Sequence, residues 1–146
     1  ARFLQATGYR PSCPDRFLEH WGGSACPPEL LDQPVVYVDL DDARACARWF
    51  GSRLPTEWEW QRAAEYLGDR FLRGQCWEWT ESQRDDGHTR FVLLRGGSWY
   101  QAGGSIWYFP GGPQPVTSHA KFIQLYPGLD RCATIGFRRV VPALAP

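Results

Sequence analysis

The chain contains no asparagine and no methionine, and Lys121 is its single lysine among 16 basic residues. Without asparagine there is no acceptor for N-glycosylation. Without an initiator methionine, Ala1 is not a translation start, which predicts a processed or partial chain. No apolar run approaches the ~18–20 residues that cross a bilayer, so no membrane insertion is expected. The 16 basic residues are cancelled by 16 acidic ones, for a formal net charge of zero. That balance argues against the electrostatic footprint of a nucleic-acid partner. No signal peptide is visible, and no compartment is assigned. The five cysteines (Cys13, Cys26, Cys46, Cys76 and Cys132) form no CxxC pair and show no metal-ligand spacing. Cys13 and Cys26 flank a loop and are candidates for a local disulfide; five free thiols is the equal alternative.

Aromatics are abundant: eight Trp, eight Phe and six Tyr in 146 residues. Such side chains build either a thick core or a binding surface. The length fits one domain over residues 1–146. Residues 1–10 predict a helix end closing at Gly8, and residues 11–34 are broken by prolines and glycines. The β-branched run 34–40 predicts a strand. Asp41 or Asp42 then caps a helix over about 42–51, with Ala43, Cys46, Ala47 and Phe50 at helical spacing. Thr56 and Glu59 form a capping box, opening a helix that runs to about Leu67 on an apolar face of Trp60, Ala63, Ala64 and Leu67. Residues 76–82 and 90–99 predict strands joined by a turn at 85–88. Residues 100–118 predict a loop, 119–127 a short strand or helical turn, and 133–141 a closing strand. Helices first and short strands afterwards make the class α+β.

Four motifs follow one another along the chain: Arg53-Leu54-Pro55-Thr56-Glu57 with Glu59-Trp60, then Trp77-Glu78-Trp79, then Arg95-Gly96-Gly97-Ser98-Trp99, then Ile135-Gly136-Phe137-Arg138. Together they resemble the formylglycine-generating enzyme (sulfatase-modifying factor) family. That family includes the C-terminal domains of sulfoxide synthases and many bacterial proteins. The resemblance implies a C-type-lectin-like fold with two helices packed on short irregular antiparallel strands. Read physically, the motifs hold a fold together. Gly96 and Gly97 permit φ > 0 or close backbone approach. Arg95 and Arg138 offer planar forks to carboxylates such as Glu57 and Glu78. Trp77, Trp79 and Trp99 are expected to fill gaps between short strands.

The same resemblance implies copper chemistry, and here the chain departs from it. The family's founding enzyme holds copper with cysteines at the second and seventh positions after the RGGSW tryptophan. These positions are Gln101 and Ile106, and neither supplies a thiolate for Cu(I). The sulfoxide synthases bind iron through histidines of a separate helical domain, which this sequence lacks. An iron site would require His20, His88 and His119 to converge. Copper and iron are therefore disfavoured, and no catalytic residue is assigned. Calcium in a structural role remains open by resemblance. The family's calcium loops fall in a long segment that is short here, and residues 68–75 read as a junction where a segment is missing or deleted.

The candidate binding surface is loop 100–131, with Tyr100, Gln101, Trp107, Tyr108, His119, Lys121, Asp130 and Arg131. Rings beside glycines and polar groups suit a small molecule, glycan or protein ligand. The alternative for Trp107, Tyr108 and Phe109 is core packing. His119 with Asp130 is a candidate metal or acid–base pair, and Asp130-Arg131 a local ion pair of little value. Asp85, Asp86 and His88 read as turn chemistry. The leading expectation is a non-catalytic recognition domain. C-type-lectin-like variable proteins of diversity-generating retroelements are one such class. A metal-dependent oxidoreductase and an accessory domain of a larger protein are the alternatives.

Overall fold

The computed structural model describes residues 1–23, 25–101, 103, 110–124 and 130–141. Within them, helices come first and a sheet follows. Helix α1 (Arg2–Thr7) ends on Gly8 in the left-handed region at φ 62°, as the glycine predicts. A long irregular stretch follows, carrying short 3₁₀ turns at Glu19–Trp21 and Pro28–Leu30.

The run 34–40 is not a strand. Val36 makes a single bridge to Gly136, and Tyr37 adopts φ 54°, which ends any ladder there. Its backbone groups bond elsewhere: Tyr37 N donates to Cys132 O at 3.0 Å, and Leu18 N donates to Tyr37 O at 3.0 Å. Helix α2 (Leu40–Trp49) also starts earlier than its apolar spacing suggests. Its cap is Asp39, whose carboxylate accepts from Asp42 N at 2.8 Å while Asp42 accepts from Asp39 N at 2.9 Å. Two aspartates three apart thus build the reciprocal box.

Helix α3 (Glu57–Leu67) matches its expected bounds. Thr56 Oγ1 accepts from Glu59 N at 3.2 Å, and Glu59 accepts from Thr56 N at 2.8 Å. Arg53, then the Thr56 amide, hold the Glu59 carboxyl down at about 2. The Arg53 fork is exposed, so it adds little stability itself. Thr56→Ala is expected to cost about 1 kcal/mol, read as a lower urea midpoint at unchanged slope.

Among the described residues, four strands form one sheet in the order β3-β2-β1-β4. Strands β1 (Trp77–Asp85) and β2 (Arg90–Arg95) pair antiparallel. Their turn is closed by Asp86, which accepts from His88 N and Thr89 N at 3.0 and 2.7 Å. Strand β3 (Ala120–Ile123) runs antiparallel to β2. Strand β4 (Ile135–Phe137) runs parallel to β1, shorter than the expected closing strand. The class is α+β. The core lies between α2 and the sheet: Leu40, Ala43 and Ala47 meet Trp79, Val92 and Leu94. Trp79 is fully buried, and its indole N–H donates to Val38 O at 2.9 Å, so its one polar atom is satisfied. Trp60, Ala64 and Phe71 form a second cluster.

Three arginines tie the irregular segments to these elements. Arg131 is wholly buried and bonds Asp42 at 2.8 Å, Asp39 at 2.6 Å, Cys13 O at 2.6 Å and Asp15 O at 2.9 Å. Arg95, 1% exposed, bonds Glu57 and Gln61, both at 3.2 Å, and the carbonyls of Val116 and Ser118 at 3.0 and 2.9 Å. Arg138 forks onto Glu78, donates to Leu72 O at 2.7 Å and lies 3.9 Å from the Phe71 ring centroid. Glu78 therefore takes Arg138, one of its two expected partners, and also accepts from the Trp60 indole at 2.8 Å. All five cysteines are free.

Candidate functional site

After Arg95, Gly96 and Gly97 adopt φ 105° and 97°, a region that L side chains rarely enter. A Cβ on Gly97 would collide with the Gly112 carbonyl, and one on Gly74 would meet Pro113 N at 2.6 Å. The glycines let two chain segments touch there. Gly112 N donates to Ser98 O at 2.6 Å, and Gln114 N donates to Gly96 O at 2.9 Å. The Gln114 side chain donates to Pro110 O at 2.7 Å, and Arg73 donates to Gln114 O at 2.6 Å. The loop 98–112 is thereby pinned at its base. The same turn carries the chain off the sheet, so Trp99 does not fill the core as expected. It is 69% exposed, beside Tyr100 at 66%.

Trp99 stands at the edge of a cleft of about 460 Å³ that His20, Glu29, Gln33, Gln75 and Cys76 also line. A smaller lobe of about 200 Å³ continues past Gln75 and Cys76 to Arg73, Glu78 and Arg138. The Cys76 thiol is pushed up to about 12, first by burial and then by Glu78. It is protonated at neutral pH and is no nucleophile. Burial lowers the His20 pKa, which favours the neutral imidazole. The ring lies 5.4 Å from Tyr37 in a stacked arrangement. The cleft thus offers an indole, an imidazole, a carboxylate and two amides, a set suited to stacking and hydrogen bonding.

The residues singled out in the sequence do not gather at this cleft. Tyr100 and Gln101 are exposed next to Trp99, while Trp107, Tyr108 and Phe109 lie outside the described residues. Lys121 is on β3, with its ammonium 5.8 Å from the Phe91 ring centroid. His119 is 38% exposed and faces Glu57, with Nδ1 3.9 Å from the carboxylate. The His119–Asp130 pairing therefore gives way to a His119–Glu57 one. Asp130 is buried, which raises its pKa. Arg131 pairs with Asp39 and Asp42 rather than with its neighbour, which makes it a fold-holding group instead of a surface one. His20, Glu29, Gln33, Gln75 and Cys76 were absent from the sequence-based site. The available signal was the long unstructured stretch 11–34, since such stretches in small domains are commonly functional.

The donor set does not suit the copper chemistry that the motifs imply. Gln101 presents an amide where a soft thiolate is needed, and Ile106, outside the described residues, carries no donor at all. Among the described residues, no three His, Cys, Asp or Glu side chains are grouped to hold a metal ion. No described helix is long and apolar enough to cross a membrane.

Comparison with known proteins places these features. The family model for the sulfatase-modifying factor enzyme 1-like domain matches residues 1–74. The Arg53–Trp60 motif falls inside that match, and the three later motifs lie beyond it. The inactive C-alpha-formylglycine-generating enzyme 2 of Bos taurus is 49% identical over 51 residues, 35% of this chain and 16% of the relative. The formylglycine-generating enzyme of Streptomyces coelicolor is 40% identical over 65 residues, 44% of this chain and 19% of the relative. A hercynine oxygenase of Mycobacterium tuberculosis is 49% identical over 35 residues, 24% of this chain and 8% of the relative. The chain thus spans less than a fifth of the length of each of these relatives.

Proposed function

This chain belongs to the sulfatase-modifying factor enzyme 1-like domain family, and on that premise we propose that it is a non-catalytic recognition domain that binds a small molecule, glycan or protein at the cleft beside Trp99. The observation that carries this reading is Trp99 itself. A large indole is left 69% exposed on a pinned loop base, at the rim of a cleft, where most of its surface is open to a ligand. A C-type-lectin-like scaffold suits such a role, because rigid elements carry loops that are free to vary. The absence of thiolates at both positions supports a lack of copper-dependent oxidation, as does the similarity to a relative named as inactive.

The test has two arms. The full chain is loaded with Cu(I), desalted and assayed for metal and for oxygen uptake with a cysteine-containing peptide. The expected result is no retained copper and no uptake. Copper near one per chain together with loss of the peptide thiol would establish the oxidoreductase alternative. In the second arm, the chain is screened against a glycan array and a peptide library, with tryptophan fluorescence as the readout. Trp99→Ala is expected to abolish the saturable response while changing stability by no more than about 0.5 kcal/mol, as for other exposed positions. A response that survives Trp99→Ala would place the binding surface elsewhere.

A further inference from the structure

We propose that the N-terminal segment encloses a second binding site, for a small uncharged molecule of benzene to indole size carrying one hydrogen-bond donor. A cavity of about 210 Å³ lies between α1, the irregular segment that follows it, α2 and β4. Phe3, Phe17, Leu18, Trp21, Leu31 and Phe137 supply an aromatic and aliphatic wall. The cavity is partly open and mostly apolar; an apolar cavity of roughly 150 Å³ lined by aliphatic and aromatic residues binds benzene. Left empty, the space forfeits dispersion contacts along its whole lining.

The polar groups in the wall define the ligand further. The Asp42 carboxylate is already engaged by the Tyr9 hydroxyl at 2.9 Å, Arg131 Nε at 2.8 Å and Asp39 N at 2.9 Å. It offers no open charge to a cation, so the ligand is uncharged. His20 differs. Among the described residues, its Nδ1 and Arg95 Nε are the buried side-chain polar atoms without a protein partner, and of the two only His20 lines this cavity, standing in the wall that it shares with the cleft beside Trp99. With the imidazole proton on Nε2, Nδ1 is an acceptor, and a ligand N–H or O–H supplies its partner. The wall is also held in an uncommon backbone state. Leu18 and Tyr37 are left-handed at φ 51° and 54°, and Leu18 N bonds Tyr37 O. Bulky residues persist there only where the surroundings enforce it.

Two thiols give a readout that does not depend on any activity. Cys26 and Cys46 line the cavity, whereas Cys13 is free and lies outside its wall. The full chain is alkylated with N-ethylmaleimide in the presence of indole or phenol, and each cysteine is followed by mass spectrometry. At a ligand concentration about four times Kd, labelling of Cys26 and Cys46 is expected to slow about five-fold while Cys13 is unchanged. Cys46→Phe, which fills the cavity from α2, is expected to remove the ligand's effect on Cys26. Leu31→Phe does the same should Cys46→Phe fail to fold. Unchanged labelling of both thiols up to the solubility limit of indole would overturn the proposal. So would protection of Cys26 that persists in a folded, filled variant, or equal protection of Cys13.

Discussion

Replacing Arg131 with alanine is expected to remove about 3–5 kcal/mol of stability at neutral pH, because it strands the buried Asp42 carboxylate and the partly buried Asp39 carboxylate around one guanidinium's former site. Asp39 and Asp42 both bond Arg131, and Asp42 is 3% exposed. The Asp39 carboxyl is already pushed up to about 6 by burial and by Asp42, with Arg131 acting against the shift. Without the arginine the Asp39 carboxyl rises further. A carboxyl whose folded pKa exceeds its unfolded value near 4 weakens the fold as pH climbs from the unfolded pKa towards the folded one. The penalty of Arg131→Ala is therefore expected to be smaller at pH 5 than at pH 7.5, by urea unfolding at both pH values. An equal penalty at the two would mean that the carboxylates are not the groups left unpaired. The variant should also free the segment around Cys13 and Asp15, whose carbonyls it no longer holds, so early proteolysis there accompanies the loss.

That clasp also shows what the sequence could and could not disclose. Arg131 reads as a surface residue because charge usually means exposure. Its burial depends on carbonyls 118 and 116 residues away, and no local pattern carries such contacts. By contrast, the Thr56–Glu59 box and the apolar stripe behind it are local, and α3 was legible to the residue. The run 34–40 has strand composition yet forms a single bridge, since β-propensity describes a fit to neighbouring strands more than a backbone preference. Reading it as a strand also hid the Asp39 cap of α2.

The site divides in the same way. The motif Arg95–Trp99 reads as structural, with the candidate surface placed after it on loop 100–131, and its glycine pair reads as a point of close approach, which the contact with Gly112 bears out. Trp79 and Trp99 nonetheless have opposite fates, fully buried and 69% exposed. The left-handed turn at Gly96–Gly97 decides this by leading the chain off the sheet. The opposite wall of the cleft comes from residues 20–36, whose prolines and glycines announce irregularity but not where it packs.

Arg95 carries the second large effect. It joins Glu57 at the start of α3 to the carbonyls of Val116 and Ser118, so it links helix, sheet end and the exit of the pinned loop. Burial lowers its pKa, and its Nε has no partner, so the charge is held at a real desolvation cost. Arg95→Ala is expected to lose about 3–5 kcal/mol: the variant vacates a core volume and leaves Glu57, 2% exposed, with Arg84 and His119, 58% and 38% exposed. Glu57→Gln is expected to cost less, about 1–3 kcal/mol, because an amide oxygen still accepts from Arg95. The pair Glu57→Leu with Arg95→Met should be more stable than the summed single losses predict, since it removes both buried charges, keeps the volume and returns the exposed Arg84 to solvent. Strict additivity in that cycle would mean that the two side chains do not interact in the folded state. Loss of the Trp99 fluorescence response in a folded Arg95→Met chain would show the clasp reaching the cleft through residues 114–118. An unchanged response would confine its role to stability.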